Sequence, residues 1–513
     1  MERPGCIKRA VKYLVECRTV GAGEAGRRAK EYREDKRIRK ERNRPVLLTE
    51  KEKKRQAAEH FSRETVFRVA FLKNGRPEKQ TINSLNAQTR AKVIAEPDPA
   101  KLSSADYTVF AEPDAILHPG VLFECEKAIN EQGADLIYTD EDFFEKEPGD
   151  CFAPFFKPDY GPDSLRGCNY IGPFFVCGNG LLREAGAEDY DRMDEDGRWD
   201  TVIRIAAKAK KICHIPKVLY YRKGRETRLR RIKDPIEGEP PVSILIPNRD
   251  HREDLKRCVD SVREKTTYGN WEILVIENNS TEEETFRYYE ELEKDERVRV
   301  ISREGAFNYS AVNNLGVREA KGEQILLLNN DTEVISPDWI QEMLMYARRQ
   351  DVGAVGAKLY YPDGTIQHAG IGIGIKMLAG HYFRGFPGES DGYYGRLKYA
   401  QNVSAVTGAC MMIPRRVYEE MHGLDESFSL VFNDVDLCLR IREAGYLIVW
   451  TPWAELKHYE SKSRGADEDT AEKKRFFVRE TNRFLRKWWK ALDKGDPYYN
   501  VNLTRWREDF SLR

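Results

Sequence analysis

The sequence predicts an α/β protein of two tandem Rossmann-like sandwiches, the first of them degenerate, with basic helical extensions at both ends. Short apolar runs that fit strands buried on both faces alternate with segments of helical periodicity. Polar residues follow these runs, and segments of the first half align with segments of the second half at offsets of 217 and then 236 residues. The length of 513 residues is sufficient for roughly two to four domains.

Changes in composition divide the chain into four segments. We assign residues 1–60 to a charged helical or disordered arm, 61–235 to a first α/β domain with its linker, 236–470 to a second α/β domain, and 471–513 to a C-terminal extension. The arm is basic because residues 27–55 contain 14 Lys and Arg against 6 Asp and Glu. The linker before residue 242 is rich in charge, Gly and Pro and has no periodicity.

The overall composition is that of a soluble globular protein. Lys and Arg total 85 and Asp and Glu also total 85, so the net charge indicates no nucleic-acid partner. No run of about 18 apolar residues occurs, which argues against a signal peptide or a membrane span. The ten cysteines form no CxxC pair, and we expect buried thiols in a reducing, cytoplasmic setting. Peripheral contact with the inner face of the cell membrane stays open.

The second domain begins with a strand–helix–strand unit. PPVSILIPNRD and WEILVIEN are typical of buried strands, and Leu255, Val259 and Val262 between them have helical spacing. Another apolar run, QILLL, extends the pattern. Ser336 followed by Pro337 predicts the cap and first position of a further helix.

Polar residues follow three of these strands. They are Asn248, Arg249 and Asp250, then Glu277, Asn278 and Asn279, and then Asn329, Asn330 and Asp331. Because ligands of open α/β sheets bind at the carboxyl ends of the strands, these groups predict a common binding site.

The usual phosphate-binding loops are missing from the sequence. There is no GxGxxG after the first strand and no GxxxxGK[ST] anywhere. A bound diphosphate would therefore need another source of positive charge. A divalent cation held by the carboxylate of Asp331 fits this requirement.

Five segments of the second domain resemble glycosyltransferase family 2. They are VSILIPNRD, EILVIENNSTEEE, AVNNLGVREAKGEQILLLNNDTEV, TGACMMIPRRVYEEMHGLDESF, and FNDVDLCLRIREAGYLIVWTP followed by LKHYESKSRG. The resemblance implies a glycosyltransferase A fold and an inverting, metal-dependent enzyme that transfers a hexose or deoxyhexose. It also implies a nucleotide-diphospho-sugar donor, with UDP or dTDP as the nucleotide, and a glycan or lipid-linked glycan acceptor.

The resemblance also implies roles for individual residues. Glu277 matches a position that binds the base, and Asp250 lies near the nucleoside. The full donor-binding set is Pro247, Arg249, Asp250, Glu277, Asn279, Asn313, Asn329, Asn330 and Gly408.

Two acidic motifs of the family are altered in this chain. Asn329-Asn330-Asp331 matches the metal motif but keeps only its last carboxylate, which would bind Mn²⁺ or Mg²⁺ with His458 as a further ligand. Asn433-Asp434 matches the motif of the general base and keeps the essential Asp434. The resemblance therefore implies that Asp434 takes the proton from the acceptor hydroxyl.

Two other functions remain open at this point. The Asn substitutions also fit a non-catalytic protein that binds a nucleotide sugar or a glycan. A nucleotidyltransferase would need a Gly-rich, Lys-bearing phosphate loop after Ile246, and the sequence has none.

The first domain aligns with the second as a degenerate copy. At an offset of 217 residues Glu112 matches Asn329 and Asp114 matches Asp331, and at an offset of 236 Gly172 matches Gly408. This part also resembles the first domain of bacterial two-domain transferases that build surface polysaccharides.

Two positions of the copy have lost the residues that the reaction needs. Arg198 aligns with Asp434, and Arg222 aligns with His458. Because arginine can neither accept a proton nor bind a cation, we expect the first domain to be a scaffold or an acceptor-binding module.

The C-terminal extension is basic and aromatic. Arg and Lys residues alternate with Phe477, Phe484, Trp488 and Trp489. Such a helix fits a membrane interface, and it fits equally well a helix docked on the protein's own surface.

Overall fold

The structure, a computed structural model, describes residues 48–90, 92–94, 105–146, 151–224, 227–459 and 471–513. The predicted basic arm lies mostly outside these residues. The chain forms two compact units with a boundary at Arg230, close to the predicted one at residue 235. The first unit also contains Pro497–Leu503, and the second contains Arg231–Asp496 with Thr504–Ser511. The predicted C-terminal extension is therefore shared between the two units.

The first unit is an α/β structure around an eight-stranded sheet. Its strands are β1 (Val66–Phe71), β2 (Lys92–Ile94), β3 (Tyr107–Ala111), β4 (Ile116–Leu117), β5 (Leu136–Phe144), β6 (Cys151–Phe155), β7 (Phe175–Gly178) and β8 (Ile212–Lys223). Its helices are α1 (Glu50–Ala58), α2 (Lys79–Asn86), α3 (Val121–Gln132), α4 (Pro162–Gly167), α5 (Asn179–Glu184) and α6 (Glu195–Lys208).

The second unit is built around a ten-stranded sheet with a small hairpin beside it. The sheet strands are β9 (Val242–Asn248), β10 (Trp271–Glu277), β11 (Val298–Ser302), β12 (Gln324–Leu328), β13 (Thr332–Val334), β14 (Val352–Tyr360), β15 (Ile366–His368), β18 (Gln401–Asn402), β19 (Cys410–Pro414) and β20 (Leu447–His458), and the hairpin is β16 (Ile371–Ile373) with β17 (Ala379–His381). The helices are α7 (Arg252–Lys265), α8 (Glu283–Leu292), α9 (Tyr309–Glu319), α10 (Trp339–Ala347), α11 (Arg415–Glu420), α12 (Asn433–Glu443) and α13 (Ala471–Lys494).

The apolar patterns of the sequence correspond to the core of the second unit. Every residue of β9 and of β12 is buried. Helix α7 packs Leu255, Val259 and Val262 against this sheet with no exposed surface. The predicted α/β class is confirmed, and the strand–helix–strand unit places parallel β9 and β10 side by side.

Seven strands of each main sheet share one topology, and the second sheet adds β11 at its edge. The first runs β2-β1-β3-β7-β5-β8-β4, and the second runs β11-β10-β9-β12-β19-β14-β20-β13. The correspondence pairs β2 with β10, β1 with β9, β3 with β12, β7 with β19, β5 with β14, β8 with β20, and β4 with β13. Each pair of neighbouring strands keeps its parallel or antiparallel sense in both sheets.

Strand register agrees with the offsets found in the sequence. Val109 pairs with Val176 in the first sheet, and Leu326 pairs with Met412 in the second. These residues are related by the offsets of 217 and 236. The agreement supports an internal duplication.

Two further expectations concern the cysteines and helix α10. Cys125, Cys258, Cys410 and Cys438 are buried free thiols, as expected. Helix α10 begins at Trp339, after the predicted start.

No helix among the described residues has both the length and the apolar composition needed to cross a membrane.

Candidate active site

The polar ends of strands β9, β10 and β12 contact one another. The Asn330 side-chain amide donates to Asn248 Oδ1 at 2.6 Å, which joins the ends of β12 and β9. The Asp250 carboxylate accepts from the backbone N–H groups of Thr281 at 2.7 Å and Glu282 at 3.0 Å, which joins β9 to the loop after β10. The three strand ends therefore form one edge.

Asp250 is ionised at this edge. Burial alone would raise its pKa, but the backbone N–H groups of Glu282 and Thr281 donate to the carboxylate and bring the pKa below its usual range. The residue has a φ of 50°, a left-handed conformation that turns the chain sharply after β9. Asp250 thus fixes the shape of the loop in addition to adding negative charge.

The residues after β10 organise the neighbouring loop. Glu277 is 4% exposed, and its Oε1 accepts from the Ser280 N–H at 2.5 Å. The Asn279 amide donates to the Gly305 carbonyl at 2.5 Å, and the Asn278 amide also donates to that carbonyl, at 3.1 Å. One oxygen of Glu277 is therefore already engaged within its own loop.

Three members of the predicted donor-binding set differ in exposure. Arg249 is exposed. Pro247 is buried within β9, and Asn313 is fully buried on α9, where its amide donates to the Tyr309 carbonyl at 2.9 Å. Asn313 therefore acts inside its helix, and the cavity described below is not lined by Pro247 or Asn313.

Asp331 and His458 lie side by side. Thr332 in β13 pairs with His458 in β20, so Asp331 reaches the imidazole, with Oδ1 3.2 Å from Nε2. The Asn329 side-chain nitrogen is also 3.2 Å from this Nε2. His458 Nδ1 is buried and has no hydrogen-bond partner among the described residues.

This pair fits part of a divalent-cation site. Ligands at about 2.1 Å from an octahedral ion lie about 3 Å apart, close to the observed separation of the Asp331 and His458 atoms. Within the described ranges no cluster of three or more His, Cys, Asp or Glu side chains is arranged to hold a metal. An ion here would therefore take its remaining ligands from substrate oxygens and water.

Asp434 lies at the start of helix α12 and is held by two backbone groups. The Gly408 N–H donates to Oδ2 at 3.0 Å, and the Val435 N–H donates to Oδ1 at 2.8 Å. Asn433 Oδ1 accepts from the Asp434 N–H at 2.7 Å. The side chain is half-buried, so these contacts orient a carboxylate that substrate can still reach.

Asp434, Asn329 and Gly408 line one cavity of about 230 Å³. A Cβ atom at Gly408 would lie 3.0 Å from the Tyr309 hydroxyl, which donates to the Gly408 carbonyl at 2.9 Å. The sequence placed Gly408 beside the donor sugar, and the structure adds that its N–H positions Asp434. Tyr309 was not singled out by sequence reasoning, because it has the pattern of a core aromatic.

Sequence reasoning also missed His381, which lines the same cavity. Its Nδ1 lies 3.1 Å from Nδ1 of His368. Burial keeps the pKa of His368 well below its ordinary value, and the nearby His381 and His458 lower it further. His368 is therefore neutral, and its Nδ1 shares one hydrogen bond with Nδ1 of His381. The two histidines are 13 positions apart around a hairpin, and no motif connected them.

The matching part of the first unit contains fixed positive charges. Arg222, at the position that corresponds to His458, lies 3.5 Å from Glu112 and 3.4 Å from Glu141. Lys157 is fully buried and contacts Glu141 at 3.0 Å. Burial raises the pKa of Glu112 although Arg222 opposes the shift. The Glu112 and Glu141 carboxylates are therefore already paired with cationic side chains and are poorly placed to bind a divalent cation.

Known proteins resemble this chain over different lengths. Glycosyl transferase family 2 matches residues 243–421. Uncharacterized protein y4gI of Sinorhizobium fredii is 41% identical over 459 residues, which cover 80% of this chain and 50% of the relative. The O-antigen biosynthesis protein RfbC of Myxococcus xanthus is 34% identical over 455 residues, which cover 80% of this chain and 34% of the relative.

A shorter match is to the N-acetylglucosaminyl-diphospho-decaprenol L-rhamnosyltransferase of Mycobacterium tuberculosis. It is 28% identical over 151 residues, which cover 28% of this chain and 49% of the relative. The chain spans half or less of the length of these three relatives. The chain therefore contains a glycosyl transferase family 2 domain, residues 243–421, which carries the β9, β10 and β12 strand ends and Gly408.

Proposed function

We propose that the second unit is an inverting glycosyltransferase of cell-surface polysaccharide biosynthesis. It would transfer a hexose or deoxyhexose from a nucleotide-diphospho-sugar to a glycan or lipid-linked glycan. The observation that carries the proposal is the cavity shared by Asp434, Asn329 and Gly408, beside the Asp331–His458 pair. The names of two relatives, an O-antigen biosynthesis protein and a rhamnosyltransferase, agree with this class of reaction.

The proposed reaction is one displacement. Asp434 accepts the proton of an acceptor hydroxyl while that oxygen forms a bond to the anomeric carbon of the donor sugar. The bond from the anomeric carbon to the diphosphate breaks at the same time, and the nucleoside diphosphate leaves with the electron pair. Attack opposite the leaving group inverts the anomeric configuration.

The donor would extend from the cavity along the edge formed by the strand ends. The end of this edge that is assigned to the nucleoside contains Glu277, Asp250, Arg249 and Asn279. Mn²⁺ or Mg²⁺ bound by Asp331 and His458 would supply positive charge to the departing diphosphate.

The proposal is tested with a panel of UDP-, dTDP- and GDP-sugars assayed for release of the nucleoside diphosphate in the presence of Mn²⁺. We expect turnover with a UDP or dTDP donor, and a product of inverted anomeric configuration by NMR. A product that retains the donor configuration would contradict the single displacement.

Asn329 and Asn433 support one alternative, a protein that binds a nucleotide sugar without transferring it. Both residues replace acids of the family motifs, and Asn433 is buried with its amide oxygen committed to the Asp434 N–H. Under this alternative calorimetry would detect donor binding, but no nucleoside diphosphate would be released in the same panel.

We also propose a peripheral membrane contact through helix α13. Its Phe484, Trp488 and Leu492 are buried, so this face is docked on the second unit. Phe477 and Trp489 remain 36% and 40% exposed, next to exposed basic residues. An exposed aromatic residue with basic neighbours fits an anionic lipid surface.

The full chain should therefore float with anionic vesicles at low salt and remain unbound to neutral ones. Replacing Trp489 by Ala should weaken flotation, whereas replacing the exposed Asp493 on the same helix by Asn should not. If the full chain stays at the bottom of the gradient with anionic vesicles, the membrane contact is excluded.

A further inference from the structure

Helix α13 contributes a buried carboxylate to the loop that precedes Asp434. Glu480 is 2% exposed, although it lies in a strongly basic stretch. Its Oε1 accepts from the backbone N–H of Ser429 at 2.6 Å and from the Ser429 hydroxyl at 2.9 Å. Its Oε2 accepts from the N–H groups of Leu430 at 3.2 Å and Val431 at 2.7 Å.

Successive backbone N–H groups that converge on one anion bind it strongly. A buried carboxylate needs such donors, and donors without a partner would destabilise the loop. The residues that follow are part of the site, since Leu430, Val431, Phe432 and Asp434 all line the cavity. Glu480 therefore fixes the conformation of one cavity wall.

The turn between this loop and Asp434 is held by the same helix. Phe432 has a φ of 62°, which is strained for an aromatic residue. Its ring stacks on Phe484 of α13, with centroids 4.7 Å apart and planes 18° from parallel. Phe484 is fully buried. This packing maintains a backbone conformation that residue 432 would not adopt alone.

One turn further along, α13 also holds helix α12. The Trp488 indole N–H donates to Asp436 Oδ1 at 2.8 Å, and Lys487 Nζ lies 2.7 Å from the same oxygen. Lys487 also pairs with Asp425 at 2.8 Å. Burial would raise the pKa of Asp425, but hydrogen bonds from Lys487 and Ser427 lower it to about 2. Helix α13 thus contacts the chain on both sides of Asp434.

We propose that Glu480 is a positioning residue that aligns Asp434 with the acceptor, acting through the loop 429–432. This inference rests on the proposed glycosyl transfer. Like Asp434 and His458, Glu480 lies outside residues 243–421, which match the family. The loop lines the cavity next to Asp434, the proposed general base. Loss of Glu480 should therefore impair turnover more than donor binding.

Replacing Glu480 by Gln tests the inference. The amide keeps the shape but leaves a single acceptor oxygen for four donors and turns an N–H₂ group toward them. We expect kcat to fall by roughly 10- to 100-fold, as for small displacements of a reacting group, with donor affinity changed less than about twofold. Glu480→Asp, which retains the charge, should recover part of the loss. Asp493→Asn, at an exposed position of the same helix, is the matched control and should behave as wild type.

A second readout does not depend on activity. Hydrogen exchange at Leu430 and Val431 should accelerate by about 10-fold or more in folded Glu480→Gln and stay unchanged in Asp493→Asn. Unchanged exchange at these amides, or turnover within about twofold of wild type, would overturn the positioning role. Absence of transfer by the wild-type chain would count against the proposed function instead, and the exchange rates would still decide the role of Glu480.

Discussion

Replacing Asp434 by Asn is expected to lower the rate of sugar transfer by roughly 10²- to 10⁴-fold, the usual contribution of a general base. Asn has nearly the same shape, but its single amide oxygen can accept from only one of the Gly408 and Val435 N–H groups, which donate to different oxygens of Asp434. It cannot take a proton from the acceptor. Donor affinity should change little, because the nucleotide is assigned to Glu277 and to the edge formed by the strand ends, outside the contacts of Asp434.

The matched control for this experiment is in the first unit. Arg198 aligns with Asp434, lies on helix α6 and donates to the Met193 carbonyl at 2.6 Å. Arg198→Ala should leave the rate of transfer nearly unchanged. Initial rates on both variants, with calorimetry of the nucleoside diphosphate and Mn²⁺, make the comparison. If Arg198→Ala were the inactive variant, the reaction would have been assigned to the wrong unit.

Removal of divalent cations should abolish turnover, and added Mn²⁺ should restore it. The reason is the shortage of other positive charge near the diphosphate, since the second unit has no glycine-rich phosphate loop. Asp331→Asn should reproduce the effect of the chelator, because an amide oxygen is a much weaker ligand than a carboxylate. Undiminished activity in EDTA would rule out the metal.

The first unit again provides the control for the metal. Asp114 aligns with Asp331 but lies 3.6 Å from Lys223, in a region where Arg222 supplies further positive charge. Asp114→Asn should leave Mn²⁺ binding unchanged. Titration of Mn²⁺ into each variant in the presence of UDP, followed by calorimetry, measures this without reference to turnover. Equal loss of Mn²⁺ binding in both variants would mean that the two units share the metal dependence.

The parts of the fold that were predictable from sequence are those determined by local periodicity. Strands β9 and β12 are buried on both faces, so their apolar runs were visible without any knowledge of their neighbours. The inward face of α7 was equally clear from the spacing of Leu255 and Val259. Asp331 was singled out by its place at a strand end and by the missing phosphate loops, but Asp434 required the family resemblance, because an isolated acidic residue at a helix start has no distinctive pattern.

The features that were missed depend on contacts distant in sequence. Ser336 resembled a helix cap, but its hydroxyl accepts from the N–H of Glu455, and the helix begins only at Trp339. Glu480 resembled one more charge on a solvated helix until its contacts with the loop around Ser429 were visible. His381 enters the cavity on a short hairpin strand whose partner strand and supporting His368 carry no sequence signature.

The division of the C-terminal residues between the two units has a consequence for the order of folding. Asp140 of the first unit is fully buried and receives hydrogen bonds from the Asn500 amide at 3.0 Å, besides the Lys157 N–H at 2.9 Å. At a synthesis rate of roughly 5–20 residues per second, Asn500 leaves the ribosome about 14 to 54 s after Arg230. The first unit therefore waits, with this carboxylate incompletely bonded, until the whole second sheet has been translated. A chain cut at the linker would lose that contact, so the two units are best expressed as one polypeptide.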